Sequence, residues 1–316
     1  MIKVGVIGCG RIAERHLAAF NKLDNIAVMV FDEDPKLCAV AERYGVSWQD
    51  DLDGIYDLVD AIDICTPTPS HYLYLTQALA KHKHVFVEKP MTATLEQAYL
   101  VQESARAAGT VAMVGHPYRF HPAYQFIKKS IRTQAIGVPH LAILRIGGRG
   151  GHKAWKHRSE TGGGAANEML VHMLDTAQWI FGNGIPTIQD CFSDTLIPSR
   201  TIENADVSVD AEDIVTMRLK YGDVTVLIEA DLITPSFMDY IEAHGSTGSI
   251  LISTSLPSHI FNEKGLVQMQ FPKVDWFKEE LGHWLECIRQ GFDPGANTIA
   301  ETVKVMEVLE QVRAGR

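Results

Sequence analysis

The sequence has few cysteines, and their arrangement suggests neither disulfides nor a metal site. The 316-residue chain contains five cysteines, scattered along its length with no CxxC pair. An odd, dispersed set of this kind predicts neither a disulfide framework nor a structural zinc site. Such cysteine usage is typical of a reducing compartment, so we expect a cytoplasmic protein.

Long apolar segments and runs of basic residues are also missing. No apolar stretch approaches the roughly 18 residues of a membrane-spanning helix, and the chain opens on a strand pattern instead of an export signal. The formal net charge is −10, and no run of five or more basic residues occurs. We therefore expect neither a membrane nor a nucleic acid as a partner.

The first 32 residues predict a dinucleotide site. They combine an apolar run at 2–7, the sequence GCGRIA at 8–13, a helical pattern and a second apolar run at 26–31. In such a strand–turn–helix–strand unit, the first glycine makes a tight turn and the second lets the backbone approach a pyrophosphate at the helix N-terminus. The predicted cofactor contacts in this turn are Gly8, Gly10, Arg11 and Ile12.

An acidic cluster follows the second apolar run. Asp32 lies about 20 residues after the glycines, where a carboxylate accepts hydrogen bonds from the adenosine ribose hydroxyls. Glu33 and Asp34 come directly after it, so a 2′-phosphate would lie among negative charges. We therefore predict NAD as the cofactor, with NADP disfavoured. The alternative is a nucleotide-free fold that uses the same turn.

The fold class follows from the order of the elements. Strand and helix patterns alternate through about the first 115 residues, which predicts an α/β domain built on a doubly wound parallel sheet. Strands then follow one another, and Gly-containing turns predict antiparallel pairs at 214–221 with 224–233 and at 240–244 with 249–252. We predict domains at 1–120 and 121–316, the second of α+β class, with the last helix a candidate for packing on the first domain.

Polar and rigid residues follow the predicted strand at 61–65. Ligands of parallel sheets bind beyond the carboxyl ends of the strands, and here the chain reads Thr66-Pro67, with His71 shortly after. Pro67 either shapes the loop or forms a cofactor platform with Thr66. His71 either caps the next helix or contacts the cofactor. We include all three among the candidate cofactor residues.

The next strand end reads Glu88-Lys89-Pro90. One interpretation is a surface salt bridge before a turn. The other is catalytic, because a lysine that faces a nicotinamide can stabilise an alkoxide or lower a neighbour's pKa. We include Glu88 and Lys89 among the candidate cofactor-binding residues and Lys89 among the candidate catalytic residues.

A glycine-rich stretch at 162–164 leads into a predicted helix at 165–181. Glu168, His172 and Asp175 are spaced i, i+4, i+7 and share one helical face. Histidine is suited to taking a hydroxyl proton near neutral pH, and a carboxylate one turn away could orient it or the substrate. The alternatives are a histidine packed at a domain interface and a metal site at Glu168 and His172. For the latter no further ligands are evident, and we predict no metal.

Together, in this order, the four motifs give the chain a close resemblance to the glucose-fructose oxidoreductase / inositol dehydrogenase family, written Gfo/Idh/MocA. The resemblance spans essentially the whole length. It implies a Rossmann domain followed by a domain with an open, mostly antiparallel sheet that commonly serves oligomerisation, here as a homodimer or homotetramer. It also implies NAD(P)-dependent oxidation or reduction of a sugar, cyclitol or related polyol. By match to the family motifs, Lys89 is the catalytic lysine and His172 the proton-transfer residue.

One departure from the family pattern concerns the third catalytic candidate, Glu168, because the commonest family version has Asp there. The longer side chain shifts the carboxylate by about one methylene. The family pattern therefore does not determine the identity of the substrate or the path of the proton in this protein. Arg119 and Arg158 lie near family positions that face substrate, or else pair with a carboxylate. The loop at 152–158 offers donors and aromatic surface to a sugar or acidic sugar. The candidate substrate contacts are Arg119, Trp155, Arg158 and Asp175.

Two other functions stay open at this point. A glycosidase of this fold could oxidise a sugar transiently and return the hydride to a tightly held NAD. A regulatory protein could keep the fold, sense a sugar or nucleotide and lack turnover, because fold does not fix function. The presence of both Lys89 and His172 favours an enzyme.

Overall fold

The chain forms two compact units. The computed structural model describes residues 1–148, 153–202 and 204–314. Unit 1 comprises Met1–Phe120 and Val274–Val303, and unit 2 comprises His121–Lys273 together with the chain from Lys304 onward. Residues 274–303, which we assigned to the second domain, belong to unit 1.

Unit 1 is built on a six-stranded sheet in the order β3-β2-β1-β4-β5-β6, with every neighbouring pair parallel. This order is typical of dinucleotide-binding folds. Its strands are β1 (Ile2–Ile7), β2 (Ile26–Phe31), β3 (Ser47–Trp48), β4 (Ala61–Ile64), β5 (His84–Val87) and β6 (Ala112–Val114). The helices between them are α1 (Arg11–Phe20), α2 (Cys38–Tyr44), α3 (Leu52–Leu58), α4 (Thr68–Ala80) and α5 (Leu95–Ala108).

Unit 2 is built on an eight-stranded sheet in the order β16-β15-β14-β13-β7-β12-β11-β8. Its pairs are antiparallel except for β7 with β12, which is parallel. Two helices, α6 (Pro122–Arg132) and α7 (Val171–Phe181), pack on one face of the sheet. The strands of this unit, including the separate β9–β10 pair, are β7 (Pro139–Gly147), β8 (Thr187–Asp194), β9 (Ser199–Ile202), β10 (Ala205–Ser208), β11 (Ile214–Tyr221), β12 (Val224–Asp231), β13 (Met238–Gly245), β14 (Ser249–Ile252), β15 (Ser258–Asn262) and β16 (Gly265–Met269).

The last two helices are α8 (Trp276–Gln290) and α9 (Ile299–Ala314). Leu281, Trp284 and Leu285 of α8 are completely buried in the hydrophobic core of unit 1, with α1 as a neighbour. The sequence predicts the apolar stripe of α8, but a stripe does not indicate which unit covers it. This is why the predicted second domain, 121–316, is too long at its C-terminal end.

The predicted fold class is confirmed: a parallel α/β unit is followed by a unit with a mostly antiparallel sheet. Among the described residues, no helix is both long enough and apolar enough to cross a membrane. The helix predicted at 165–181 differs in one respect, since residues Ala166–Leu170 form a π-helical turn and α7 begins only at Val171.

Candidate active site

The glycine-rich turn has the geometry that a bound pyrophosphate requires. Gly8 has φ = +93°, and a Cβ there would lie 2.9 Å from the backbone of Cys65 and Thr66, so only glycine fits. At Gly10, no atom of the described residues lies within 4 Å of where a Cβ would be. Gly10 is also the N-cap of α1 and supplies no capping side chain. The turn therefore offers open space above a helix N-terminus, which fits an anionic diphosphate.

The carboxylate of Asp32 is fixed beside this turn. Its Oδ2 accepts from the Cys9 amide at 2.7 Å, and its Oδ1 accepts from the Asp34 amide at 2.9 Å. Each carboxylate oxygen can accept a further bond, as ribose hydroxyls require. Glu33 adds a second negative charge and accepts from the Tyr74 hydroxyl at 2.8 Å. The arrangement fits NAD, whose adenosine ribose carries no 2′-phosphate.

His71 joins the loops that follow β4 and β5. Its Nε2 lies 2.7 Å from the carbonyl oxygen of Thr66, and its Nδ1 lies 2.9 Å from that of Pro90. Burial lowers the pKa of His71, although the carbonyl contacts act in the opposite direction. Because both ring nitrogens face backbone carbonyls, the side chain holds the loops of Thr66 and Lys89 together and does not cap α4. The predicted cofactor contact of His71 stays a prediction.

Lys89 stands at the end of β5, half-buried, and its peptide bond to Pro90 is cis. The carboxylate of the preceding Glu88 is buried and points into unit 1, where its Oε1 lies 3.1 Å from Nε2 of His16. Its Oε2 accepts from the Lys89 amide at 3.2 Å. The Glu88 side chain therefore makes internal contacts, and its predicted cofactor contact stays a prediction.

His16 and Asp63 are the polar residues of this region that the sequence analysis missed. His16 is completely buried on α1, and its Nδ1 lies 2.9 Å from Oδ2 of the equally buried Asp63 on β4. One signal could have found Asp63, because a charged residue in a short apolar strand is rarely buried without a partner.

In unit 2, Glu212 supports the turn that leads to His172. Gly164 has φ = +105°, and a Cβ at this position would overlap the Glu212 carboxylate. That carboxylate accepts from the Ala166 amide at 2.9 Å. A buried negative charge at a helix N-terminus is favourable, so Glu212 fixes the start of the π-helical turn. Such turns are frequent at functional sites.

Glu168 lies in this π-helical turn and forms an ion pair with Lys156. Both side chains are largely buried, at 11% and 26% exposure. His172, on the first turn of α7, is half-buried, whereas Asp175 is only 1% exposed. Burial and the Asp175 charge raise the pKa of Tyr221. The predicted substrate contact of Asp175 stays a prediction.

Trp155 and Arg158 lie at a short 3₁₀ turn, Ala154–His157, whose preceding residues 149–152 are outside the described part of the chain. Trp155 is half-buried, with the Lys156 ammonium 5.2 Å from its ring centre. Arg158 is 40% exposed, and its Nη1 lies 3.8 Å from Oδ2 of Asp210. Both remain candidates for substrate contact.

Arg119, in contrast, is 3% exposed in unit 1 and pairs with Glu301 at 2.7 Å. Of the two interpretations of this arginine, the structure shows the pairing with a carboxylate.

The structure thus brings the candidate residues together in two groups. In unit 1, the candidate residues lie at the carboxyl ends of four strands: Gly8 after β1, Asp32 after β2, Thr66 after β4 and Lys89 after β5. The close packing of Gly8 and the hydrogen bonds of Cys9 and His71 connect these strand ends. Arg11 is exposed at the same end, Ile12 is half-buried, and Pro67 is the N-cap of α4. In unit 2, the group consists of Trp155, Arg158, Glu168, His172 and Asp175.

Comparisons with known proteins agree with this geometry. Residues 2–116 match the family model described as "Oxidoreductase family, NAD-binding Rossmann fold", and residues 124–251 match the "GFO/IDH/MocA C-terminal domain". The scyllo-inositol 2-dehydrogenase (NAD(+)) of Bacillus subtilis is 27% identical over 96% of this chain and 91% of its own. The myo-inositol 2-dehydrogenase of Thermotoga maritima is 27% identical over 94% and 91%.

A solved structure shows the same fold. Levoglucosan dehydrogenase in complex with NADH and L-sorbose has a TM-score of 0.89 at 20% identity and covers 99% of this chain and 96% of its own. The two family models together match well over half of the sequence, in the order of the two units. The chain therefore belongs to the Gfo/Idh/MocA family of NAD-binding oxidoreductases.

Proposed function

We propose that this protein is an NAD-dependent dehydrogenase that acts on a hydroxyl or carbonyl group of a sugar, sugar derivative or cyclitol. The observation that carries the proposal is the placement of the glycine turn, Asp32 and Lys89 along one edge of the sheet of unit 1. That edge combines a dinucleotide cradle with a lysine whose charge can act on a substrate oxygen. The inositol dehydrogenases among its relatives support the substrate class.

Gly8, Gly10 and the first turn of α1 would hold the diphosphate of NAD, and Asp32 would hold its adenosine ribose. When bound, NAD supplies the hydride acceptor for the oxidation. The Lys89 ammonium stabilises the negative charge that develops on the substrate oxygen. His172 takes the proton of the substrate hydroxyl, a task suited to an imidazole near neutral pH.

Glu168 has a supporting role in this mechanism. Its ion pair with Lys156 gives the carboxylate a fixed partner in a largely buried setting, and such pairs hold geometry well when their charges are compensated. From the π-helical turn it acts as an anchor for the start of the His172 helix. Trp155 offers a flat apolar surface, which suits the C–H face of a sugar ring.

A cofactor and substrate panel tests this function. NAD+ and NADP+ are titrated into the purified protein, and sugars, sugar acids and inositols are then screened for absorbance of reduced cofactor. We expect tight NAD+ binding, weaker NADP+ binding and net NADH formation with at least one polyol. Product formation without net NADH would indicate the transient-oxidation glycosidase. Cofactor binding without any turnover would indicate the sensor.

We further propose that the open face of the unit 2 sheet forms a homo-oligomeric interface. The face opposite α6 and α7 carries half-exposed or exposed apolar side chains, among them Ile143, Leu227 and Phe192, the last two 37% and 54% exposed. Charges of both signs lie between them, such as Arg145 with Glu229 at 3.2 Å. A surface with this mixture can complement itself around a two-fold axis.

Leu227→Arg tests the interface. Leu227 lies next to Ile143 across the β7–β12 pair, so a cation there would be desolvated in a dimer. Light scattering should show a dimer or tetramer for the unchanged protein and a smaller species for Leu227→Arg. Leu73→Arg, at a 50% exposed position of α4 in unit 1, is the matched control and should not change the mass. A monomeric unchanged protein at micromolar concentration would refute the proposal.

The compartment expected from the sequence remains a proposal. All five cysteines are among the described residues, and all are free thiols. This observation supports a protein that works in the reducing cytoplasm.

A further inference from the structure

A buried charged cluster lies beneath the loop of Lys89. Nδ1 of His16 is 2.9 Å from Oδ2 of Asp63, and Nε2 is 3.1 Å from Oε1 of Glu88. His16 and Asp63 are completely buried, and Glu88 is 7% exposed. The three residues come from α1, from β4 and from the end of β5, so the cluster joins three elements of unit 1.

The contacts define the protonation state of His16. A carboxylate accepts but cannot donate, and only the imidazolium form of histidine donates from both ring nitrogens. Burial disfavours the charged ring, but the interactions with Asp63 and with Cys65 together outweigh it and raise the pKa of His16 well above its ordinary value. Burial alone would raise the pKa of Glu88, yet the hydrogen bond and charge of His16 lower it overall. An imidazolium is therefore held between two carboxylates.

The surroundings of the ring strengthen these bonds. The Phe86 and Phe277 rings have centres 5.6 and 5.7 Å from that of His16 and exclude water from it. Weak screening makes both ion pairs stronger than they would be at the surface. Cys65 is a further titratable group at the ring, with its Sγ 3.3 Å from Nδ1. Burial raises the pKa of this thiol, so it stays neutral.

His16, Asp63 and Cys65 also have the spacing of a metal-ligand group. The contacts of these residues argue against metal binding. A metal ion at Nδ1 would take the lone pair of a deprotonated nitrogen and require a thiolate, whereas both nitrogens already face carboxylates and the thiol is neutral. The cluster is satisfied by its own hydrogen bonds.

The link to Lys89 passes through the second oxygen of Glu88. Oε1 is bound by His16, and Oε2 accepts from the Lys89 amide at 3.2 Å. The backbone of Gly115 also packs closely against the Glu88 carboxylate, because a Cβ built at Gly115 would lie only 2.9 Å from Oε1. We propose that His16 is a positioning residue, which fixes the Glu88 carboxylate and through it the backbone of Lys89. This inference rests on the proposed role of Lys89.

A spectroscopic measurement tests the charged ring independently of turnover. Nitrogen-15 NMR of the histidine-labelled protein, with His16→Gln used to assign its signals, should show both His16 nitrogens protonated at pH 8. A ring that becomes neutral near pH 6.5, the ordinary histidine value, would overturn the proposal.

A double-mutant cycle tests the action through Glu88. An amide has one oxygen where the carboxylate has two, so Glu88→Gln leaves either His16 or the Lys89 amide without its acceptor. We expect His16→Gln and Glu88→Gln each to lower kcat by about 10- to 100-fold, the scale of a misplaced catalytic group. The Kd for NAD+ and the substrate KM should change by less than about threefold, because both side chains are buried beneath the loop of Lys89.

The kcat of the double variant distinguishes a positioning role of His16 from general damage to the structure. If His16 acts through Glu88, the double variant is no slower than the slower single variant, whereas independent structural defects would multiply. Cys287→Ala is the control for packing damage, because it removes a buried thiol from the same hydrophobic core of unit 1 at a position where the sulfur lies beside His283 instead of His16; its kcat should stay unchanged. Multiplying effects in the double variant would overturn the proposal.

The possible failures are distinguishable. If no polyol of the panel gives net NADH, the proposed function itself fails. If Lys89→Ala keeps full turnover, the proposed role of Lys89 fails, and the positioning proposal fails with it. If Lys89→Ala loses turnover but Glu88→Gln retains the kcat of the unchanged protein, the positioning proposal alone fails. Should His16→Gln not fold, Glu88→Gln decides, because it preserves shape and is expected to bind NAD+ normally while its kcat falls.

Discussion

Alanine in place of Lys89 or of His172 is expected to lower kcat by about 10²- to 10⁴-fold, the range for removing a group that transfers a proton or stabilises charge in the transition state. Lys89→Ala removes the charge that stabilises the developing alkoxide. His172→Ala removes the base that takes the hydroxyl proton. Affinity for NAD+ should change little, because the glycine turn and Asp32 carry the diphosphate and the ribose.

Steady-state kinetics on the substrate found in the panel, with NAD+ binding followed by fluorescence, measures these effects. Lys81→Ala and His140→Ala are matched controls, since both residues are exposed and lie outside the candidate site. The controls should keep the kcat of the unchanged protein. Turnover within about threefold of normal would remove the substituted residue from the mechanism.

Trp284→Ala is expected to destabilise unit 1 by about 3–5 kcal/mol, the usual cost of deleting a large aromatic side chain from a core. Trp284 is completely buried on α8, and its ring centre lies 5.6 Å from that of Phe86 on β5. The substitution leaves a cavity between the helix and the sheet that carries Lys89. If α8 is an integral part of unit 1, NAD+ binding should be lost in the same denaturant transition as the unit's structure.

Urea unfolding, followed by circular dichroism and by NAD+ binding, tests this expectation. Phe292→Ala is the control, because Phe292 follows α8 directly but is 42% exposed; it should cost less than about 0.5 kcal/mol. A loss below about 1 kcal/mol for Trp284→Ala would mean that the helix contributes little to the unit.

The sequence by itself determined the features that depend on local pattern. The apolar runs give β1 and β2 with the predicted bounds, and the glycine turn and the acidic residue after β2 follow from the same short segment. Lys89 could be placed at a strand end because parallel strands finish at one edge of a sheet. Each of these inferences needs only residues that are close in the chain, where backbone sterics and the periodicity of burial decide the structure.

The tertiary structure alone decided which distant groups meet. His16 finds its partners 47 and 72 residues away in Asp63 and Glu88, and Arg119 finds Glu301 182 residues away. The same holds for α8, whose apolar stripe is plain in the sequence but whose partner is unit 1. Periodicity records that a side chain is buried, whereas the identity of what buries it depends on how the elements pack, and a buried charge can be explained only once its partner is known.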